Sequence, residues 1–163
     1  MDANLTDKVP PHSEEAEQAV LGALLINWGA MADVVSSLKP DRFYSLQNQV
    51  IFDAMLKLYA KNATGDTISL INELTVENKL EQAGGVAYIA SLTDTVPSAA
   101  NIDYYAKMVL DRAARRDLIK ISAEMKASAF ELQKNSEALL DAAEQKIFAL
   151  AERNETTQIY EAK

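Results

Sequence analysis

The chain has 163 residues, 48% of them apolar, a formal net charge of -8 and no cysteine. That apolar share suffices for one packed core and excludes a disordered chain. The missing cysteines exclude disulfides and thiolate chemistry, and the acidity disfavours a dedicated phosphate binder.

The first residues, MDANLTDKVPPHSEEAEQ, are polar and acidic. They lack the basic and apolar segments of a secretory signal, and no apolar run is long enough to span a membrane, so the chain reads as cytoplasmic. Residues 1–12 are expected to form a mobile tail that closes at Pro10-Pro11. Ser13 then caps a helix reaching about Asn27, with Glu14 and Glu15 in its first turn. Ala16, Ala19, Val20, Ala23, Leu24 and Ile26 make its apolar face. Gly22 inside that helix costs helix stability, which points to close approach of another helix.

Met31 to Leu38 reads as a short helix closed by Pro40, and Gln47 to Ala60 as a longer one. Gly65-Asp66 is a turn, Ser69 a helix cap, and a short helix is expected to end at Gly84-Gly85 in left-handed geometry. Val86 to Leu92 is another short helix, and Val96-Pro97-Ser98 a break. No alternating apolar–polar run with turn chemistry marks a strand.

From Asn101 to about Leu132 the chain has neither Pro nor Gly. The turn Gln133-Lys134-Asn135 precedes a second such stretch, to about Arg153. Two helices joined so closely form an antiparallel hairpin. The fold class is therefore all-α: a helical head over 13–97, a helical hairpin over 98–153 and a polar tail over 154–163.

At about 100° per residue, the long helix shows two successive stripes. Ile102, Tyr105, Ala106, Val109 and Ala113 share one side. Further on, the stripe shifts to Leu118, Ile121, Met125 and Leu132. The first half should pack on the head, and the second on the returning helix through Leu139, Leu140, Ala143, Ile147 and Leu150. Tyr104, Met108, Ile119, Phe130 and Phe148 fall outside these stripes, which points to self-association through the hairpin.

No phosphate-binding loop or nucleophile elbow occurs in the chain. His12 stands alone and cannot supply a zinc set. No catalytic residue, cofactor site or metal site is expected. Arg112, Arg115 and Arg116 carry the competing reading, a helical nucleic-acid-binding domain. Against it, Asp103, Lys107, Asp111 and Arg115 alternate in sign at i,i+4 spacing, as on a solvated face. Trp28 has no basic neighbours and reads as a core or rim aromatic.

The segments VPPHSEEAEQAVLGALL (9–25), DRFY (41–44), LEQAGGVAYIASL (80–92) and TVPSAANIDYYAKMVLDRAARRDLI (95–119) resemble the N-terminal domain of DnaB-type replicative helicases. The resemblance runs from Val9 to about Arg153. It implies a non-catalytic domain followed elsewhere by a linker helix and an ATPase domain, where ATP and Mg would bind. It further implies hairpin-paired dimers, a trimer-of-dimers collar, primase docking in the primosome, possible contact with a helicase loader, and only indirect dealings with DNA. Partner contacts in that family match Tyr88, Ile119 and Met125. Ile119 is also one of the off-stripe residues, whereas Met125 sits on the intra-hairpin stripe. Tyr88 reads either as a docking anchor or as a core residue of the head.

Overall fold

A computed structural model of the chain describes residues 8–94, 96 and 101–161, with side chains to 154. Every regular element among the described residues is helical, from α1 (Glu14–Ile26) to α7 (Ser136–Glu161). Most of the expected N-terminal tail, and Pro97-Ser98 of the expected break, lie outside the described residues. The chain divides into two compact units. One is His12–Asp111; the other holds Arg112–Lys163 and, from the N-terminal side, residues up to Pro11. The division thus falls inside a helix rather than at Pro97.

In the first unit α1 is the central helix. The Ser13 hydroxyl accepts the Ala16 N–H at 3.1 Å, the expected cap. Residues Ala19 to Leu25 are all buried, so α1 is enclosed on every side rather than along one stripe. Ile26, expected on that stripe, is instead exposed where the helix ends. A Cβ on Gly22 would lie 2.2 Å from the Leu92 carbonyl oxygen, so the close neighbour is the chain just past a short helix.

A 3-10 turn over Trp28–Ala30 leads into α2 (Met31–Val34), shorter than expected. α3 (Leu46–Ala60) is capped by Ser45 and buries Ile51, Phe52, Ala54, Met55 and Leu58. α4 (Thr67–Val76) is capped by Asp66, whose Oδ1 accepts the Ser69 N–H at 2.8 Å. Ser69 is therefore inside the helix, because the carboxylate ahead of it already satisfies the first orphan donors. Lys57 joins the two helices through Glu77 at 3.0 Å, and Lys61 does so through Glu73 at 3.0 Å.

After Val76 the chain turns, with Asn78 at φ 60, and the short helix expected before Gly84-Gly85 is a single turn, in which the Ala83 N–H donates to the Lys79 carbonyl at 3.0 Å. Gly84 at φ 98 and Gly85 at φ 83 also open α5 (Gly85–Ser91). The Gly84 N–H donates to the Glu81 carbonyl and the Gly85 N–H to the Leu80 carbonyl, both at 3.0 Å, so the left-handed Gly84 closes the preceding turn in the expected C-cap geometry as well as leading into α5.

α6 (Ile102–Ala129) crosses the division. Ile102, Ala106 and Val109 are buried in the core of the first unit, as their stripe predicts. In the second unit the rest of α6 runs antiparallel to α7: Glu124 meets Lys146 at 3.1 Å and Asp117 meets Arg153 at 3.7 Å. The turn between them ends at Asn135, whose Oδ1 accepts the Ala138 N–H at 2.8 Å. α7 continues to Glu161, so helical geometry extends past the expected boundary at Asn154.

Candidate docking surfaces

Glu17, in the first turn of α1, is 2% exposed. Its Oε2 accepts the Tyr44 N–H at 2.8 Å, and its Oε1 accepts the Ser45 N–H at 3.2 Å and Asn48 Nδ2 at 2.9 Å. The carboxylate thus sits at the N-terminus of α3, where free N–H groups and the helix dipole favour a negative charge. Asn48, also buried, accepts the Tyr88 hydroxyl on its Oδ1 at 2.5 Å.

Tyr88 is half-buried: its ring packs against the head's core and part of its surface stays in solvent. Burial raises its phenol above the ordinary value. Tyr44 sits at the surface, its ring stacked on His12 with centroids 4.1 Å apart. Trp28 is a rim aromatic, edge-on to Tyr59.

On the same unit, Tyr104 is exposed. Met108 is not left outside the core as its helical position suggested. It packs against it with Tyr105 and Leu110, because the face of α6 turned to the head is broader than the stripe.

The hairpin unit has a different character. Ile121, Met125, Leu139, Ala143 and Leu150 are half-buried, and Ile121 and Leu150 line a groove between the helices with the two ion pairs. Leu118, Leu132, Leu140 and Ile147, expected to pack within the hairpin, are exposed. Leu132 lies past the end of α6, in the turn, and so cannot follow the helical stripe. Two helices alone offer too little facing surface to cover the others. Ile119 is 53% exposed, Phe130 77% and Phe148 66%. Arg116 donates to the Pro11 carbonyl at 2.9 Å, and Arg115 is exposed. Among the described residues no group of His, Cys, Asp or Glu is placed to hold a metal ion, and no helix is long and apolar enough to cross a membrane.

Residues 9–111 match the family described as DnaB-like helicase N terminal domain. This chain belongs to that family. It is 40% identical over 146 residues to the replicative DNA helicase DnaB of Treponema pallidum (strain Nichols), covering 90% of this chain and 33% of the relative. The chain thus spans about a third of the length of the curated relatives it matches. The fold is similar to the crystal structure of the N-terminal domain of DnaB helicase from Mycobacterium tuberculosis, with a TM-score of 0.80 and 33% identity over 87% of this chain and 99% of that one. It is also similar to a DnaB-like replicative helicase studied for its interactions with primase, with a TM-score of 0.71 and 25% identity over 85% of this chain and 31% of that one. The all-helical class and the family resemblance read from the sequence both hold.

Of the expected contact residues, Tyr88, Tyr104 and Met108 belong to the head unit, and Ile119, Met125, Phe130 and Phe148 to the hairpin unit. Reasoning from sequence passed over Glu17. Its signal was present: a carboxylate one turn before Val20 and Leu21 on a helix otherwise apolar there must be buried with partners.

Proposed function

We propose that this chain is the assembly and docking module of a replicative helicase, acting without a catalytic residue or cofactor of its own. Its hairpin pairs with a second copy, pairs assemble into a larger ring, and the assembly offers apolar anchors to primase. The observation that carries the reading is the apolar surface of the hairpin unit, where Leu118, Ile119, Phe130, Leu140, Ile147 and Phe148 all face solvent in the single chain. So much large apolar surface on so slender an element is what a protein partner covers.

Primase follows from the relative whose interactions with primase are described, and from the acidity of this chain, which suits a partner with a partly basic face. The arginine cluster supports nucleic-acid binding less well, since Arg116 already serves the Pro11 carbonyl within a chain of charge -8.

Titration calorimetry of the chain with primase tests the docking half. Ile119→Ala and Met125→Ala are expected to weaken binding, Ile119→Ala more, with thermal midpoints little changed. Wild-type affinity in both variants removes these positions from the docking surface.

A further inference from the structure

A buried carboxylate is an unusual choice at position 17. Ala16, Val20, Leu21 and Leu24 around it are buried, and an apolar side chain would suit them without the desolvation that a charge suffers. The bonds Glu17 makes show what the charge does. Two go to the Tyr44 and Ser45 N–H groups and one to Asn48, whose other end holds the Tyr88 hydroxyl. Tyr44 and Tyr88 both reach the surface of the head, and each is held, at one remove or less, by the same carboxylate.

We infer that Glu17 is a positioning residue for docking: through Asn48 it holds the Tyr88 ring, and through the Tyr44 N–H the backbone beside it, on the face that the head presents to primase. The inference rests on the docking function proposed above. Tyrosine rather than phenylalanine is needed at position 88 because the hydroxyl is the tether. A ring held at both its buried edge and its hydroxyl loses little freedom on binding, and a released ring loses more. Glutamine at position 17 cannot replace the carboxylate, because its NH2 group would face donors already pointing inward.

The experiment is a double-mutant cycle on the whole chain, read by calorimetry against primase. Glu17→Gln is expected to weaken binding about tenfold, the scale of losing a hydrogen bond to a charged group. Tyr88→Phe keeps the ring, removes the bonds of its hydroxyl to Asn48 and Gln18, and is expected to weaken binding several-fold. In the Glu17→Gln background, Tyr88→Phe is expected to add less than it costs in the wild type, since the Asn48 tether is already loosened and only the Gln18 bond remains to lose. Self-association through the hairpin should be unchanged in all three variants. Wild-type affinity in Glu17→Gln, or fully additive losses, overturns the inference. Should Glu17→Gln fail to fold, wild-type affinity in Tyr88→Phe alone overturns it. If the unsubstituted chain fails to bind primase, the docking function falls first and this inference with it, an outcome distinct from the others.

Discussion

Glu124 Oε2 and Lys146 Nζ lie 3.1 Å apart, one on α6 and the other on α7. Asp117 and Arg153 form a second rung, and the two rungs are equally spaced in sequence on both helices, so they share one antiparallel register. Both side chains of the first rung are over a third exposed, so the pair guides register more than it adds stability. Lys146→Glu is expected to lower the stability of the hairpin by about 0.2–1 kcal/mol, and Glu124→Lys added to it should restore most of that. Thermal unfolding followed by circular dichroism reads the difference. A double variant no more stable than Lys146→Glu would show that the pair has no part in the register.

Gly22→Ala places a Cβ 2.2 Å from the Leu92 carbonyl and 2.7 Å from Val96 Cγ2. The first is backbone and cannot swing away, so α1 and the chain after α5 must separate. A loss of about 1–3 kcal/mol is expected, more than offsetting the gain in helix propensity. A denaturant midpoint equal to wild type would contradict the contact.

Trp28 is the single tryptophan of the chain, and a Cβ on Gly65 would lie 2.1 Å from its ring. Gly65→Ala should push the ring outward into water, shifting its fluorescence to the red and raising its quenching by iodide. Unchanged emission would mean that the ring does not rest on Gly65.

Burial is the largest cause raising the Tyr88 phenol; its hydrogen bonds to Gln18 and Asn48 act the other way. A folded value above the unfolded one favours the neutral phenol in the native head. That contribution is full below about pH 10, the ordinary tyrosine value, and is lost as pH rises through the raised value. The urea midpoints of wild type and Tyr88→Phe should therefore converge above about pH 10. A gap that stays constant into the alkaline range would assign the phenol no shift.

The helices were legible where a cap and an apolar period coincide, as at Ser13 and along Ile102, Ala106 and Val109. They were misread where two residues compete for one role. Asp66 and Ser69 can each cap α4, and only the placement of the Asp66 oxygen decides between them. Gly84-Gly85 signals the left-handed close of a turn, which is present, but not that the next helix begins on the same residues. Ile119 and Phe148, placed off the stripes by helical arithmetic, are exposed, as is Phe130 in the turn just past α6. The arithmetic failed for Leu118, Leu140 and Ile147, which two helices cannot cover, for Leu132, past the end of its helix, and for Met108, where the tertiary face is wider than the stripe. The Glu17 network escaped because its partners lie far along the chain and meet only in the fold.

Self-association through the hairpin is tested most directly by sedimentation velocity over a wide range of concentration. Phe130 at 77% exposure and Phe148 at 66% are the largest apolar side chains left uncovered among the described residues of the hairpin unit. The wild-type chain is predicted to pass from monomer to dimer or larger species as concentration rises. Phe130→Ala or Phe148→Ala is predicted to move that transition to higher concentration by about 2 kcal/mol of association free energy, as interface aromatics do. A wild-type chain that stays monomeric throughout, or association unaltered in both variants, would contradict the assignment of this surface to a second copy.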